Sequence, residues 1–583
     1  MTTWDRVAEL EHALGDPLDG ANPVGHRAVL ESDLAGRLPE GGEELLDRFG
    51  MNREFVPTSL GGSLTGLDTA TVMLRAVARR DFGLALAYGG AVFVPSLIVW
   101  IDGTPAQQDR AAALLSRGKR ISVALHDLSH GNDFSASGIW GKPRPDGSLV
   151  LGGHKRVVTN APRAEGFVVL ARTGRDRRGG AHSALFLERS ALTPGSLRDL
   201  PPVPEAGPRR APVGGIEFLD CAVPPEALLG GLNRGTEIML RGLQVTRPIL
   251  PSMAVGCADT ALRMAARAAA GDGDGGGGTP AAGTRYARRA LGASFLDLLL
   301  CDSLVLAATR AVHLMPGESS LVTAAAKYLV PRVLEQAVTD LAPALGRGFQ
   351  HRAGEVGTFR KQVRDIVALP PGHAGSAAAL ASILPQLPVL ARRSWMTDPA
   401  APPELFQPDG RVPRLDPAAL RAAAPADSLF NTLSGGADVV ESMSGLGDRA
   451  AELRAATRAL VTEAAMLRKD CRALPERDHA ALANPRGYAL AERYALLLAA
   501  AAALGVWLEA HNRRDAGFLA DPVWVTGALG RVCLRLGVPA AGDGRGASPA
   551  SAAAVRAELS RRLETGGSLD LYDVAPPRAA GRG

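Results

Sequence analysis

Arg120-Ile121-Ser122-Val123-Ala124-Leu125 runs directly into His126-Asp127-Leu128-Ser129-His130-Gly131-Asn132-Asp133, a short apolar strand that ends in a polar, glycine-containing loop. Downstream, Gly138-Ile139-Trp140 and Ser148-Leu149-Val150-Leu151 flank Pro145-Asp146-Gly147, a turn signal between two apolar runs, which predicts a hairpin. Its second arm continues as Gly152-Gly153-His154-Lys155-Arg156-Val157-Val158-Thr159-Asn160, and Gly166-Phe167-Val168-Val169-Leu170-Ala171-Arg172-Thr173 follows as a further strand.

Working outward, Ser183 to Glu188 and Gly215 to Asp220 also read as strands; the latter places Ile216 and Phe218 inward and Glu217 outward. The Pro-rich stretch from Asp199 to Pro212 is loop. The pattern predicts a six- to eight-strand antiparallel, barrel-like unit, with helix before and after it. Leu67, Ala70, Leu74 and Val77 mark one face of a helix from Leu67 to Leu84. Gly235 to Ala269 reads as one long helix bent at Pro248 and Pro251, and Ser320 to Leu341 as another. The Gly271–Gly278 run between helices reads as a linker and not a phosphate cradle. Beyond Pro388, a Pro-rich stretch from Thr397 to Pro417 leads to helices near Ala437–Cys471, Asp478–Arg514, Val523–Leu536 and Pro549–Glu564. Tyr494 to Leu508 is apolar on all sides and therefore buried.

The fold class is thus α+β, mostly α. The expected division is an N-terminal helical domain (1–118), a middle β domain (119–230), a C-terminal helical bundle (231–390), a linker (391–417), an extra helical domain (418–575) and a disordered tail (576–583).

With 583 residues and 46% hydrophobic content the chain can bury a large core. Its net charge of +5 comes mostly from scattered arginines, with no basic run interleaved with aromatics, so a nucleic-acid surface is not expected. Cys221, Cys257, Cys301, Cys471 and Cys533 are odd in number and widely spaced, which gives neither a disulfide framework nor a zinc pattern. The start, Met1-Thr2-Thr3-Trp4-Asp5-Arg6, lacks a signal-peptide plan, so a cytoplasmic protein is expected. Phe82 to Ile101 carries no charge and is long enough to span a bilayer. Its glycines, Pro95 and the flanking Arg79, Arg80, Asp81 and Asp102 argue for a buried helix or helix pair, with no transmembrane segment.

Strand, polar loop, hairpin and second loop, in this order, resemble the acyl-CoA dehydrogenase family of FAD enzymes. There a "T-E-x-x-A-G-S-D" loop and an "L-N-G-x-K-x-W-I-T-N" strand cover the flavin. Leu151 to Asn160 keeps the second motif; in the first, His126, Asp127 and Asn132 replace Thr, Glu and Ser. Phe55 to Gly62 resembles the family's "G-x-P-x-x-Y-G-G", Val223 to Gly230 its "V-P-x-x-x-L-L-G", and Arg288-Arg289-Ala290-Leu291-Gly292 its "R-x-x-F-G". The resemblance covers roughly residues 1–385 and implies FAD as cofactor. The implied cofactor residues are Leu125, His126, Asp127, Gly131, Asn132, Val157, Val158, Thr159, Arg288 and Gly346, with the Thr159 hydroxyl at flavin N5 and Arg288 on the pyrophosphate of a neighbouring subunit.

The family's reaction removes the proton alpha to a thioester carbonyl while the beta hydrogen leaves as hydride, and a carboxylate serves as base. Here that carboxylate is missing from both family positions. After Arg364-Asp365, Pro371 or His373 stands at one, and Thr246, before Arg247-Pro248, at the other. His373 is the candidate base, because a partly buried imidazole titrates near neutrality. Asn132, Thr246 and Arg247 are the candidate substrate residues. His126 and His130, four apart in a loop with no third ligand, do not make a metal site.

The function expected is α,β-dehydrogenation of an acyl thioester, on CoA or an acyl carrier protein, with electron-transfer flavoprotein or oxygen as acceptor and a homodimer favoured. The alternatives are a flavin-dependent monooxygenase or N-hydroxylase on the same scaffold, and a catalytically silent subunit.

Overall fold

The computed structural model of the chain describes residues 3–125, 137–174, 182–202, 211–270, 284–370, 375–444, 449–479, 484–513, 517–539 and 548–575. The Gly271–Gly278 run and the tail from residue 576 lie outside these residues. The chain opens with α1 (Thr3–Leu14), α2 (His26–Leu34), α3 (Gly42–Phe49) and α4 (Leu67–Arg80). Next, α5 (Phe82–Leu84) passes through a π-turn at Ala85–Gly90 into α6 (Ala91–Asp102), followed by α7 (Pro105–Ser116). Asp81 stops α4 and starts α5: its carboxylate accepts from the Leu84 N–H at 2.6 Å, an N-cap.

The β region holds β1 (Arg120–Ala124), β2 (Ile139–Pro143), β3 (Leu149–Thr159), β4 (Ala164–Arg172), β5 (His182–Glu188), β6 (Leu197–Leu200), β7 (Val213–Val223) and β8 (Leu228–Leu229). Strand order is β6-β7-β3-β2-β4-β5-β8, with β1 paired to β4. The expected β2–β3 hairpin is present, in antiparallel register from Ile139 opposite Gly153 to Pro143 opposite Leu149. The sheet is not purely antiparallel, however. β1 runs parallel to β4, and Trp140 of β2 pairs in parallel with Arg172. The connection from β1 to β4 passes through a hairpin, so the chain returns to β1's side in β1's own direction.

Strand β4 is buried on both faces. Phe167, Val169 and Ala171 enter the core of the β region with Ile139, Leu151 and Ile216; Val168 and Leu170 enter the helical core. β5 does the same, with Leu185 and Leu187 on one side and Ala184 and Phe186 on the other. A period of two along each strand therefore serves two hydrophobic cores at once.

The remaining elements are helical: α8 (Gly235–Thr246), α9 (Ile249–Ala270), α10 (Arg285–Leu314), α11 (Ser319–Thr339), α12 (Gly354–Val367), α13 (Gly375–Ile383), α14 (Leu387–Arg393), α15 (Ser428–Ser442), α16 (Ala450–Arg472), α17 (Pro485–Arg513), α18 (Pro522–Leu536) and α19 (Pro549–Thr565). The segment expected as one bent helix from Gly235 to Ala269 is two helices, broken at Arg247-Pro248, where proline lacks the N–H that would continue α8. Ala437–Cys471 is likewise two helices, and Asp478 precedes α17 as a 3₁₀ turn. Helix α9 crosses α4 closely because Gly256 has no side chain; a Cβ there would meet the Arg75 carbonyl oxygen at 2.5 Å.

Among the described residues, three helical stretches are long and apolar enough to cross a membrane: Phe82–Asp102, Arg285–Leu314 and Pro485–Arg513. Burial of 89%, 89% and 83% of their apolar windows inside the protein accounts for that apolarity.

The stretch around 391–427 is packed, not a free tether. Phe406 fits against Gly505 of α17, where a Cβ would meet its ring at 2.5 Å. Trp395, Phe430 and Tyr494 stack with centroid separations of 4.4 to 6.0 Å. At their hub the buried Asp427 accepts from Trp395 Nε1 and Tyr494 Oη, both at 2.8 Å, and caps α15 through the Phe430 N–H.

The same helical core contains a charge cluster. Arg75 pairs with Asp302 and, at 3.1 Å, with Asp570; Arg79 pairs with Glu11, with Asp259 at 3.1 Å and with Asp570 at 3.0 Å. The Leu569 and Leu571 N–H groups donate to Asp259 and Asp302, both at 2.9 Å. The C-terminal strap Ser568–Tyr572 is thereby threaded into the junction of α4, α9 and α10.

Burial raises the Asp427 carboxyl to about 6, against the hydrogen bonds that favour its charge. A carboxyl raised on folding stabilises fully below its unfolded value near 4, and that contribution is lost as pH rises through 6. Asp427→Asn should therefore gain on the natural protein by about 3 kcal/mol between pH 4 and pH 7. Urea unfolding at both pH values checks this; a pH-independent difference contradicts it.

Candidate functional site

Two side chains hold the end of β1 against the end of β3. Ser122 Oγ donates to the Thr159 carbonyl at 2.7 Å, and the buried Lys155 Nζ donates to the Leu125 carbonyl at 3.2 Å. Asn160, with φ of 67° and no solvent exposure, ends β3 and anchors it to the helices: its Nδ2 donates to the Ala87 carbonyl at 2.7 Å, inside the π-turn. Asparagine tolerates this left-handed backbone better than most residues. The two segments singled out by the sequence, Leu125 and Val157–Thr159, are thus brought together over the N-terminal helices.

Along β3, Val157 and Thr159 lie on one face and are half-buried, whereas the Val158 side chain is buried in the β core. Val158 can therefore offer only its main chain to a cofactor. Leu125 is also buried, and its side chain joins the helical core. Among the described residues the Thr159 hydroxyl has no hydrogen-bond partner. His126, Asp127, Gly131, Asn132 and His373 lie outside the described residues.

Thr246 and Arg247 are buried at the α8–α9 break. Arg247 Nη2 donates to Ser382 Oγ at 2.7 Å and the Ala378 carbonyl at 3.3 Å, both on α13. Lys327 of α11, 1% exposed, donates to the Leu369 carbonyl at 2.9 Å. These two cations grip both flanks of the segment that contains His373. Ile366 to Ser382 contains no Asp or Glu, so neither cation finds a carboxylate along it. Burial lowers Arg247 to about 10; burial, with Arg247's charge behind it, lowers Lys327 to about 7. Asp365, by contrast, is fully buried and paired with Lys361 at 3.1 Å and Arg364 at 2.8 Å.

Arg288 and Gly346 lie on an exposed corner made by the first turn of α10 and the 342–350 turn, which the Tyr286 hydroxyl ties together through the Asp340 carbonyl at 2.9 Å. Gly346, at φ 53° and ψ −138°, holds a conformation only glycine adopts readily. Among the described residues no group of three His, Cys, Asp or Glu side chains could hold a metal, and the five cysteines are free and buried.

The sequence reading did not assign Ser122, Lys155, Asn160 or Lys327. For the first, a serine between the apolar Ile121 and Val123 was the available signal; Lys155 lies between His154 and Arg156 and nothing in the sequence sets it apart.

Comparison with solved structures finds this architecture again. An acyl-CoA dehydrogenase of Bacillus anthracis complexed with FAD aligns with a TM-score of 0.66 at 17% identity, covering 98% of this chain and 92% of that one. The butyryl-CoA dehydrogenase of Megasphaera elsdenii aligns at 0.57 and 20% identity, covering 65% of this chain and 96% of that one. In sequence, the probable acyl-CoA dehydrogenase FadE25 of Mycobacterium tuberculosis is 25% identical over 237 residues, 40% of this chain and 59% of that protein. The short-chain acyl-CoA dehydrogenase of Megasphaera elsdenii is 26% identical over 245 residues, 41% and 60%. By sequence and by fold, the chain is similar to acyl-CoA dehydrogenases. No family model matches it, and it spans about three-fifths of the length of the curated relatives it matches. Because the Bacillus anthracis acyl-CoA dehydrogenase structure covers nearly the whole chain, helices α15–α19 belong to an architecture that the two share.

Lys327 supplies a direct check. The folded chain releases its proton near pH 7 and the unfolded chain near 10.4, so stability rises with pH between them. Lys327→Met should be more stable than the natural protein by on the order of 4 kcal/mol at pH 6, with the gap closing towards pH 10. Guanidinium unfolding across that range measures it; a constant gap contradicts the assignment.

Proposed function

We propose that the chain is an FAD-dependent oxidoreductase of the acyl-CoA dehydrogenase type, which dehydrogenates an acyl thioester carried on CoA or an acyl carrier protein. The observation that carries this reading is the open face of Val157 and Thr159. It is held beside Leu125 by two hydrogen bonds and leaves the Thr159 hydroxyl without a protein partner among the described residues. That surface fits a flat ring system with a hydrogen-bonding edge.

FAD, when bound, accepts the hydride that leaves the β-carbon. Thr159 holds the cofactor's edge with its hydroxyl, and Asn160 keeps that hydroxyl in register by locking the strand end to the π-turn. In a homodimer, Arg288 and Gly346 would meet the cofactor of the second copy; their exposure on this chain is consistent with that reading. Proton removal falls to His373, and Arg247 and Lys327 hold the described residues on either side of it in the chain, Ala378, Ser382 and Leu369. The positive charge of these two cations favours the enolate-like charge that develops when the α-proton leaves. The electron acceptor is either an electron-transfer flavoprotein or oxygen.

A monooxygenase reading is favoured by one observation, the absence of a carboxylate from 366–382 and from position 246.

Purified protein should be yellow and release FAD on denaturation, and Thr159→Val should weaken FAD binding about 5- to 10-fold. Anaerobic titration with an acyl-CoA panel should bleach the flavin, and His373→Ala should slow bleaching by at least about 100-fold. Colourless protein that does not take up added FAD contradicts the whole reading. Flavin that no thioester bleaches, but that consumes oxygen once reduced, moves the assignment to the monooxygenase.

A further inference from the structure

A cavity of about 570 Å³ opens between α1, α4, α9 and α19. None of its lining residues belongs to the β strands or to 366–382, so it is distinct from the site described above. Its floor holds Arg80, 1% exposed, whose Nη2 donates to Glu11 at 2.9 Å and the Gly15 carbonyl at 2.8 Å. The Nε and Nη1 atoms of Arg80 are buried and have no partner among the described residues. The same holds for Arg267 Nε, whose recorded ion pair with Glu355 is 3.7 Å long, and for Nδ1 of the buried His26. Arg263 completes the cationic wall. The local field is positive enough that burial, together with Arg80, Arg263, Lys361 and Arg267, pushes His26 down to about 3.

Guanidinium N–H groups buried without an acceptor carry a desolvation cost that an incoming oxyanion would remove. We propose that this cavity is a binding site for a small organic anion, with one carboxylate or phosphate head held by Arg80, Arg267 and His26. Planar guanidinium groups match either head with paired hydrogen bonds. Pro17, Leu18, Ala266 and Leu563 add apolar lining that suits a hydrocarbon or ring body. Glu11, Asp16 and Glu564 also line the cavity, so a polyanion would be repelled where a singly headed ligand would not. The volume falls within the usual range of small-molecule sites.

Isothermal titration of the full-length protein with phenyl phosphate, benzoate and inorganic pyrophosphate tests this. One or both of the first two should bind, and pyrophosphate more weakly. Binding of phenyl phosphate alone identifies a phosphate head, and of benzoate alone a carboxylate head. Arg267→Met removes a partly exposed arginine with a single long ion pair and should weaken binding at least about 10-fold. Ala266→Phe, which adds bulk to the apolar lining, should block it. Absence of binding by either organic probe at millimolar concentration, affinity unchanged in Arg267→Met, or pyrophosphate as the tightest ligand overturns the proposal.

Discussion

Strand β4 can occupy only one register. Phe167, Val169 and Ala171 fill the β core while Val168 and Leu170 fill the helical core, so a slip of one residue would exchange the two sets and misfit both. β1 pairs with β4 in parallel from Ile121 opposite Gly166 to Ala124 opposite Val169. Ser122 then reaches across to the Thr159 carbonyl. The position of the open face on β3 is therefore set by burial two strands away, and Asn160 transmits it to the α5–α6 turn.

Buried charge is used in two ways. The Arg75, Arg79, Asp259, Asp302 and Asp570 cluster is paired throughout, and it fixes the C-terminal strap against α4, α9 and α10, which lie far earlier in the chain. Removing one partner of such a cluster leaves an uncompensated buried charge, typically a loss of about 3–5 kcal/mol. Arg247 and Lys327 are the opposite case: two buried cations whose recorded partners are carbonyls and a hydroxyl. Burial without an opposite charge is costly, and such groups are common at sites that must stabilise negative charge on something else. In this chain they hold Leu369, Ala378 and Ser382, within a stretch, 366–382, whose sequence has no Asp or Glu.

The β region was legible because its signals are local. Pro145-Asp146-Gly147 marks a turn, and the alternation of Ile216, Glu217 and Phe218 marks a strand, whatever surrounds them. The long helices were legible through their apolar periodicity, but Arg247-Pro248 was read as a bend where the chain breaks. The parallel pairing of β1 with β4 was not legible, since strand partners are chosen by tertiary packing. Arg79, Arg80 and Asp81 read as polar flanks of an apolar run, yet all three are buried; composition cannot show that Glu11, Asp259, Asp570 and Lys361 wait for them. The 391–417 stretch reads as linker because proline-rich sequence usually is one, and it is tertiary contacts, Phe406 against Gly505 and Trp395 against Phe430 and Tyr494, that show it packs. Thr159 was singled out from a motif, and the structure adds that it is half-buried at the end of β3 with its carbonyl held by Ser122. Lys327 was not, because nothing in Ala326-Lys327-Tyr328 distinguishes a buried lysine from an exposed one.

The most direct measurement is a crystal structure of the full-length protein saturated with FAD. It should show the isoalloxazine ring lying on the face of Val157 and Thr159, with the Thr159 hydroxyl hydrogen-bonded to the ring edge. Flavin bound elsewhere, or a Thr159 side chain turned away from the ring, would contradict the account.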